Sequence, residues 1–299
     1  MRSGSARPGW GLERAPALAC CVWLACVALA AQAPAANAAA APGGSPVVVS
    51  SNWAGYAVVG SSRSVSRFTR VAGAWTQPSA SCRPGAASYS AVWVGLGGFS
   101  ERSRALEQIG SEADCAQTGQ AVYFAWLELV PQAPVDLELK VQPGDHLAAS
   151  VTVHGSSVAL HITDLSTGAH FYTTRRMSSP DTSSAEWIVE APSICVGSGA
   201  CSTLALTDFG TVAFASATAT GGGHTGTIDD PRWSASELEL RQGDGAARGP
   251  GRRPRFAGVR TPIDATPSPP SGPDGAFSVT WGEEPLEQPS PPAVAGATP

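Results

Sequence analysis

The sequence predicts an all-β fold, a sandwich or barrel of many short strands, and three observations support that prediction. Between Pro46 and about Arg241, short runs of alternating apolar and polar residues follow one another, which is the period of a strand with one buried face. Gly, Ser, Pro and Asp separate the runs, and the chain holds 33 Gly and 25 Pro, residues that end strands and build turns. Long helical periodicity is hard to find, and only 14% of residues are charged. The 299 residues leave room for one large β domain, since such domains run to about 250 residues.

The runs that read as strands are 46–59, 66–77, 88–97, 104–110, 121–130, 146–154, 157–163, 169–175, 184–190 and 210–219. Asp164-Leu165-Ser166-Thr167-Gly168 has the composition of a hairpin turn between two of them. Residues 242–273 are rich in Pro, Gly and Arg without periodicity, so they are expected to form a long mobile loop. Alternation resumes in Ala276-Phe277-Ser278-Val279-Thr280-Trp281, read as a last strand that returns to the β domain. The predicted organisation is a signal peptide at 1–38, a linker at 39–45, one β domain at 46–282 and a disordered tail at 283–299.

The signal peptide is read from three parts in sequence. Arg2, Arg7 and Arg14 precede the uncharged run Ala15–Ala30, and small residues with A-x-A sites follow at Ala31–Ala33 and Ala36–Ala38. The apolar run is short for a span of about 20 residues, so secretion is expected rather than a stable membrane association. Past the signal the chain keeps Cys82, Cys115, Cys195 and Cys201. Cys195 and Cys201 bracket the short loop VGSGA, which brings them into bridging range, so Cys82 pairs with Cys115 by elimination. The spacing is not that of a zinc site, and two disulfides suit an oxidising compartment.

The net charge is −5, and Lys140 is the only Lys. No basic face for nucleic acid is expected. The serine-hydrolase elbow, the zinc-protease helix motif, the phosphate loop and the dinucleotide fingerprint are all absent from the sequence. The five histidines lack companion ligand spacing, so no metal or cofactor is expected. What remains is a set of polar residues inside otherwise apolar strands. Gln108 shares a face with Leu106; Trp126 and Glu128 share one with Phe124; Glu190 shares one with Ile188 and Glu186; Trp93 shares one with Tyr89 and Gly95.

Five segments in register carry a resemblance: Ser51-Asn52-Trp53-Ala54-Gly55-Tyr56, Ala91-Val92-Trp93-Val94-Gly95, Ala105 to Gly110, Ala125 to Pro131, and Ala185-Glu186-Trp187-Ile188-Val189-Glu190. In order and approximate spacing the chain resembles the glutamic peptidases, or eqolisins, as a bacterial-type member. The loop Cys195 to Cys201 also sits where that family carries a disulfide. The resemblance implies an antiparallel β-sandwich of two sheets, a lectin-like jelly roll, with a concave face that holds an extended peptide. It implies an acid-acting endopeptidase with Gln108 and Glu190 as the catalytic pair. Trp93, Trp126, Glu128 and Trp53 match positions near the family's cleft and are expected to contact substrate. Protein or peptide substrates and a monomeric state complete the expectation.

The chemistry of that pair follows from its groups. A Glu carboxylate takes the proton of an attacking water and later returns it to the leaving nitrogen. A Gln amide orients the water and donates to the oxyanion without adding charge, so Glu190 is expected to stay ionised at moderately acidic pH. Two other readings fit the same residues: a glycosidase using Glu128 and Glu190 as a carboxyl pair, and a non-catalytic carbohydrate- or peptide-binding sandwich. The chain departs from fungal members at Leu96-Gly97-Gly98, where they carry an Asp, and in the residues after Gly110.

Overall fold

The computed structural model describes residues 45–61, 65, 67–196, 200–242 and 264–282. The predicted signal peptide, the predicted linker up to residue 44, residues 243–263 and the predicted tail from 283 lie outside the described residues. Among the described residues eighteen strands follow in chain order: β1 Val47–Ser50, β2 Trp53–Gly60, β3 Phe68–Thr76, β4 Ala91–Gly97, β5 Leu106–Cys115, β6 Ala121–Val130, β7 Val135–Leu137, β8 His146–His154 and β9 Ser157–Asp164. They continue with β10 His170–Arg176, β11 Ser184–Glu190, β12 Ser193–Val196, β13 Ala200–Thr203, β14 Thr211–Gly221, β15 His224–Thr227, β16 Trp233–Leu240, β17 Ala265–Pro267 and β18 Phe277–Trp281.

One hydrogen-bonded path runs β10-β9-β8-β3-β14-β18-β17-β16-β2-β11-β4-β5-β6-β7. It folds back on itself, because β3, β8 and β9 pack against β4, β5 and β11. The result is the expected sandwich: one layer from β10 to β18, one from β16 to β7, and β17 linking them at a corner. Apart from β1, which joins β16 in parallel, the pairings are antiparallel.

Alternation in β11 explains the layering. Ala185, Trp187 and Val189 point between the sheets and share one apolar cluster with Val71, Trp75, Leu147, Val151 and Leu160 of the opposite layer. Each large apolar side chain so buried contributes about 1.5–3 kcal/mol. Trp187 satisfies its ring N–H by donating across the layers to the Ala72 carbonyl at 2.8 Å. Gly55 allows β2 to pair with β11, since a Cβ there would lie 2.1 Å from the Trp187 carbonyl oxygen. The last strand does return to the sandwich: β18 pairs with β14 and β17, and Phe277 stacks on Phe214 with centroids 4.7 Å apart.

The structure departs from the sequence reading in several places. The run 46–59 breaks at Ser51-Asn52, where the Ser50 hydroxyl accepts from the backbone N–H of Asn52 and Trp53. β16 was not anticipated, although Ser234 to Leu240 alternates. Residues 265–267 form β17 inside the segment read as a loop, and β12–β13 occupy the ends of the loop between Cys195 and Cys201. β7 and β17 have three residues each and β15 has four, too short for alternation to stand out.

Cys82 and Cys115 form a disulfide with Cα atoms 5.2 Å apart, tying the segment after β3 to the end of β5. Cys201 is also disulfide-bonded and lies opposite Cys195 in the β12–β13 register.

Candidate active site on the outer sheet face

Residues opposite one another in an antiparallel pair, or two apart along a strand, share a sheet face. The registers therefore lay out the face of β2-β11-β4-β5-β6 that points away from the core. One row runs Trp53, Glu190, Ala91, Glu112 and Phe124; the next runs Gly55, Ile188, Trp93, Gly110 and Trp126; a third runs Ala57, Glu186, Gly95, Gln108 and Glu128. All six predicted site residues thus lie on one face: Gln108, Glu190, Trp53, Trp93, Trp126 and Glu128. A second apolar cluster, including Trp93, Trp126, Leu106 and Ile188, forms its floor.

Glu190 ends β11 and receives a donor on each oxygen. Asn52 Nδ2 donates to Oε1 at 2.9 Å, and Trp93 Nε1 donates to Oε2 at 2.9 Å. The Trp53 ring stands edge-on to Trp93 with centroids 5.0 Å apart. Its N–H makes no hydrogen bond of ordinary geometry, yet it also favours the Glu190 anion. Burial nevertheless wins and pushes Glu190 up to about 7, against the donors of Trp53, Trp93 and Asn52, with the Glu128 charge adding to the rise. The expectation that Glu190 is ionised at moderately acidic pH is therefore corrected. Desolvation of the anion outweighs the neutrality of the Gln partner.

Gln108 is buried near the start of β5 and donates through Nε2 to Glu128 Oε2 at 2.6 Å. That bond uses one of the two N–H groups on its amide. Its Oε1 is buried without a partner, as is the Trp126 indole N–H two residues from Glu128. Burial raises Glu128 while the Gln108 amide pulls it back. Gln108 and Glu190 are two strands apart and four residues offset in register. Among the described residues no direct hydrogen bond joins them; Trp93 stands between. Gly110 makes room for Trp93, since a Cβ there would come within 2.2 Å of the Val92 carbonyl oxygen and 2.6 Å of Trp93 Cβ.

Four residues that the sequence reading left without a role help build this face. Asn52, part of the Ser51–Tyr56 segment, holds one Glu190 oxygen. Glu186 had been placed on the face of Glu190, and here it is fully buried with neither oxygen hydrogen-bonded. Burial first, then the charges of Asp181 and Glu107, hold it well above the usual carboxylate range. Glu112 is held up in the same way by burial and by neighbouring Asp114 and Glu190. Asp181, from the β10–β11 connection, fills the space beside Gly97, where a Cβ would lie 2.6 Å from its own Cβ. A carboxylate thus stands near the position where fungal members carry Asp. Despite partial burial, donors from Ser103, Ser183 and Gly98 keep Asp181 low. Only its folded proximity identifies it, because it is 84 residues away in the chain.

The histidines lie outside this constellation; His224 pairs with Asp230 at 2.6 Å, and His161 contacts His170 and Tyr172. Among the described residues no group of three or more His, Cys, Asp or Glu is arranged to hold a metal ion.

Fold and face together define a class: a two-layer antiparallel β-sandwich with carboxyls, an amide and indoles gathered on one outer sheet face. The sequence pattern of the Peptidase A4 family matches residues 51–240, and the chain belongs to that family. Aspergillopepsin-2 of Aspergillus niger is 31% identical over 199 residues, covering 59% of this chain. The chain spans 66% of that relative's length, just under two thirds. Scytalido-glutamic peptidase with a transition-state analogue inhibitor superposes with a TM-score of 0.60 at 24% identity, over 78% of this chain and all of that one. SCP-B, an eqolisin in complex with the tripeptide Ala-Ile-His, superposes with a TM-score of 0.56 at 22% identity and the same coverage. At these identities the two structures speak for the fold.

Proposed function

We propose that this protein is an exported endopeptidase that hydrolyses peptide bonds with Glu190 as general base and then acid, and Gln108 as the partner that positions water and oxyanion. The observation that carries the reading is the complementary state of the two side chains on one face. Glu190 is pushed up to about 7 while Asn52 and Trp93 donate to its two oxygens, which suits proton transfer near neutrality. Gln108 retains one free N–H and an unpartnered Oε1, a donor for the oxyanion and an acceptor for the attacking water.

In this scheme an extended peptide lies across the face on the Trp93 and Trp126 floor. Water bound to Gln108 Oε1 and Glu190 attacks the carbonyl carbon, and Glu190 takes the proton. The oxyanion accepts from the free Gln108 N–H. Glu190 then passes its proton to the amide nitrogen as the C–N bond breaks. Glu128 fixes the Gln108 amide, and Asn52 and Trp93 orient Glu190. Family membership supports the peptide substrate. The Cys82–Cys115 disulfide and the signal-like N-terminus support export.

The pH range follows from Glu190. The free enzyme's kcat/KM is expected to fall as pH drops below about 7, because the base form is lost. Acid-range turnover at saturating substrate requires the limb in kcat to lie at lower pH, as it would if N–H groups of a bound peptide favoured the anion. The deciding experiment is Glu190→Gln, assayed for digestion of casein with circular dichroism as the fold control. A loss of about 100- to 10,000-fold is expected for removal of a general base, and retained activity in a folded variant sinks the assignment.

A further inference from the structure

Beside the outer face, the chain builds a basic cleft that the proposed mechanism does not use. It encloses about 790 Å³ where the β4–β5 connection, the start of the β6–β7 connection and the end of β10 meet. Arg67, Arg102, Arg104 and Arg176 line it. The chain's net charge is −5, so four arginines around one cavity are a strong local reversal of sign.

Among the described residues none of the four forms an ion pair. Arg67 reaches only the Thr182 hydroxyl at 3.4 Å, and Arg176 only the Ser156 hydroxyl at 3.2 Å. The carboxylate on the cleft wall, Asp181, is occupied elsewhere: its oxygens accept from Ser103 Oγ and the Ser183 N–H. All four arginines are solvent-exposed and free to turn toward a ligand. An Arg guanidinium presents a planar fork of donors that matches a carboxylate.

Position links the cleft to the proposed active site. Arg104 precedes Gln108 by four residues, and the cleft residue Pro131 follows Glu128 by three. At a strand's rise, four residues span about 13 Å. An extended peptide with its scissile bond near Gln108 would reach the cleft about four residues away. Asp181, whose N–H donates to Glu107 Oε1 at 3.1 Å, joins the cleft wall to β5.

We infer that this cleft is a specificity site for acidic residues of the peptide substrate, with Arg102, Arg104 and Arg176 receiving side-chain carboxylates about four positions from the cleaved bond. The inference rests on the peptide-hydrolase reading for the identity of its ligand, but its test does not need turnover. Two fluorescent peptides share a neutral core and end in Glu-Glu or Gln-Gln. Their binding to the full chain carrying Glu190→Gln is measured by fluorescence anisotropy, with and without Arg102→Gln, Arg104→Gln and Arg176→Gln. If Glu190→Gln does not fold, the unaltered chain and backbone N-methylated twins that resist hydrolysis give the same measurement.

The acidic peptide is expected to bind about tenfold or more tightly than its twin, as a charge-assisted hydrogen bond implies. That preference should vanish in the triple variant and weaken in about 0.5 M salt. Equal binding of the twins, a preference that survives the triple substitution, or equally tight capture of an oligonucleotide of the same charge each overturns the inference. Preserved binding preference with no cleavage of either peptide by the unaltered chain strikes the peptidase reading and leaves the cleft assignment standing.

Discussion

The two faces of the β11 strand carry opposite kinds of burial. Toward the core, Ala185, Trp187 and Val189 meet an apolar partner layer, and the one polar atom among their side chains, the Trp187 ring N–H, is satisfied by the Ala72 carbonyl. Toward the outside, Glu186 and Ile188 are fully buried and Glu190 is partly buried, yet two of the three are acids. The inner face spends its residues on stability, and the outer face holds groups whose burial is costly unless they are paired or neutral. Within the outer face the contrast repeats. Glu190 gathers donors on both oxygens, while Glu186 makes no hydrogen bond of ordinary geometry and has only the nearby Ser184 hydroxyl to favour its anion. Burial alone therefore does not make a reactive carboxyl; the arrangement of donors around it separates a poised acid from one kept neutral.

Substitutions test that contrast in order of expected effect. On the inner face, Trp187→Ala should cost about 3–5 kcal/mol from lost packing and a residual cavity, read as a lowered midpoint in urea denaturation. On the outer face, Gln108→Ala should lower kcat about 100-fold, the cost of one oxyanion donor, while leaving the urea midpoint much less changed than Trp187→Ala does. If both substitutions lowered stability equally, the division of labour between the faces would be wrong.

Trp93→Phe keeps the ring and removes its ring N–H. The loss of a hydrogen bond to a charged acceptor is worth about 1.5–3 kcal/mol, so the apparent pKa near 7 in the kcat/KM profile should move upward. A profile that stays in place would detach Glu190 from Trp93. The mildest effect concerns Glu186 and is confined by pH. Its folded pKa is raised, so its contribution to stability is fully present below the ordinary value of 4.5 and is lost as pH rises through the folded pKa. Burial gives Glu107 the same sign, with a folded pKa of about 8. Melting temperature should therefore decline from mildly acidic toward alkaline pH, and Glu186→Gln should flatten that decline without altering stability at low pH. An unchanged slope would mean that Glu186 ionises freely.

Much of this was legible in the sequence because strands reveal themselves by a period of two. Gln108, Trp126 and Glu128 stood out as polar or amphipathic residues in apolar alternation, and the same rule put Glu186 beside Glu190. β16 was missed although Glu237 and Glu239 alternate with Leu238 and Leu240, since its charged alternate positions resemble a solvated segment. Asp181 could not be found by any local rule. It lies in a connection and meets Gly97 only because β11 pairs with β4.

The sequence by itself determined the alternating faces, the residues each strand offers, and the family pattern at 51–240, because these depend on local spacing and residue type. Tertiary structure decided which side of the sheet faces the partner layer, which acids receive donors, and therefore that Glu190 titrates near 7 rather than in the ordinary carboxylate range. It also gathered Arg67, Arg102, Arg104 and Arg176 around one cleft in a chain of negative net charge. The physical reason is common to all of these. A pKa or a local potential depends on desolvation and on charges within a few ångströms, and those neighbours come from strands and connections distant in the chain.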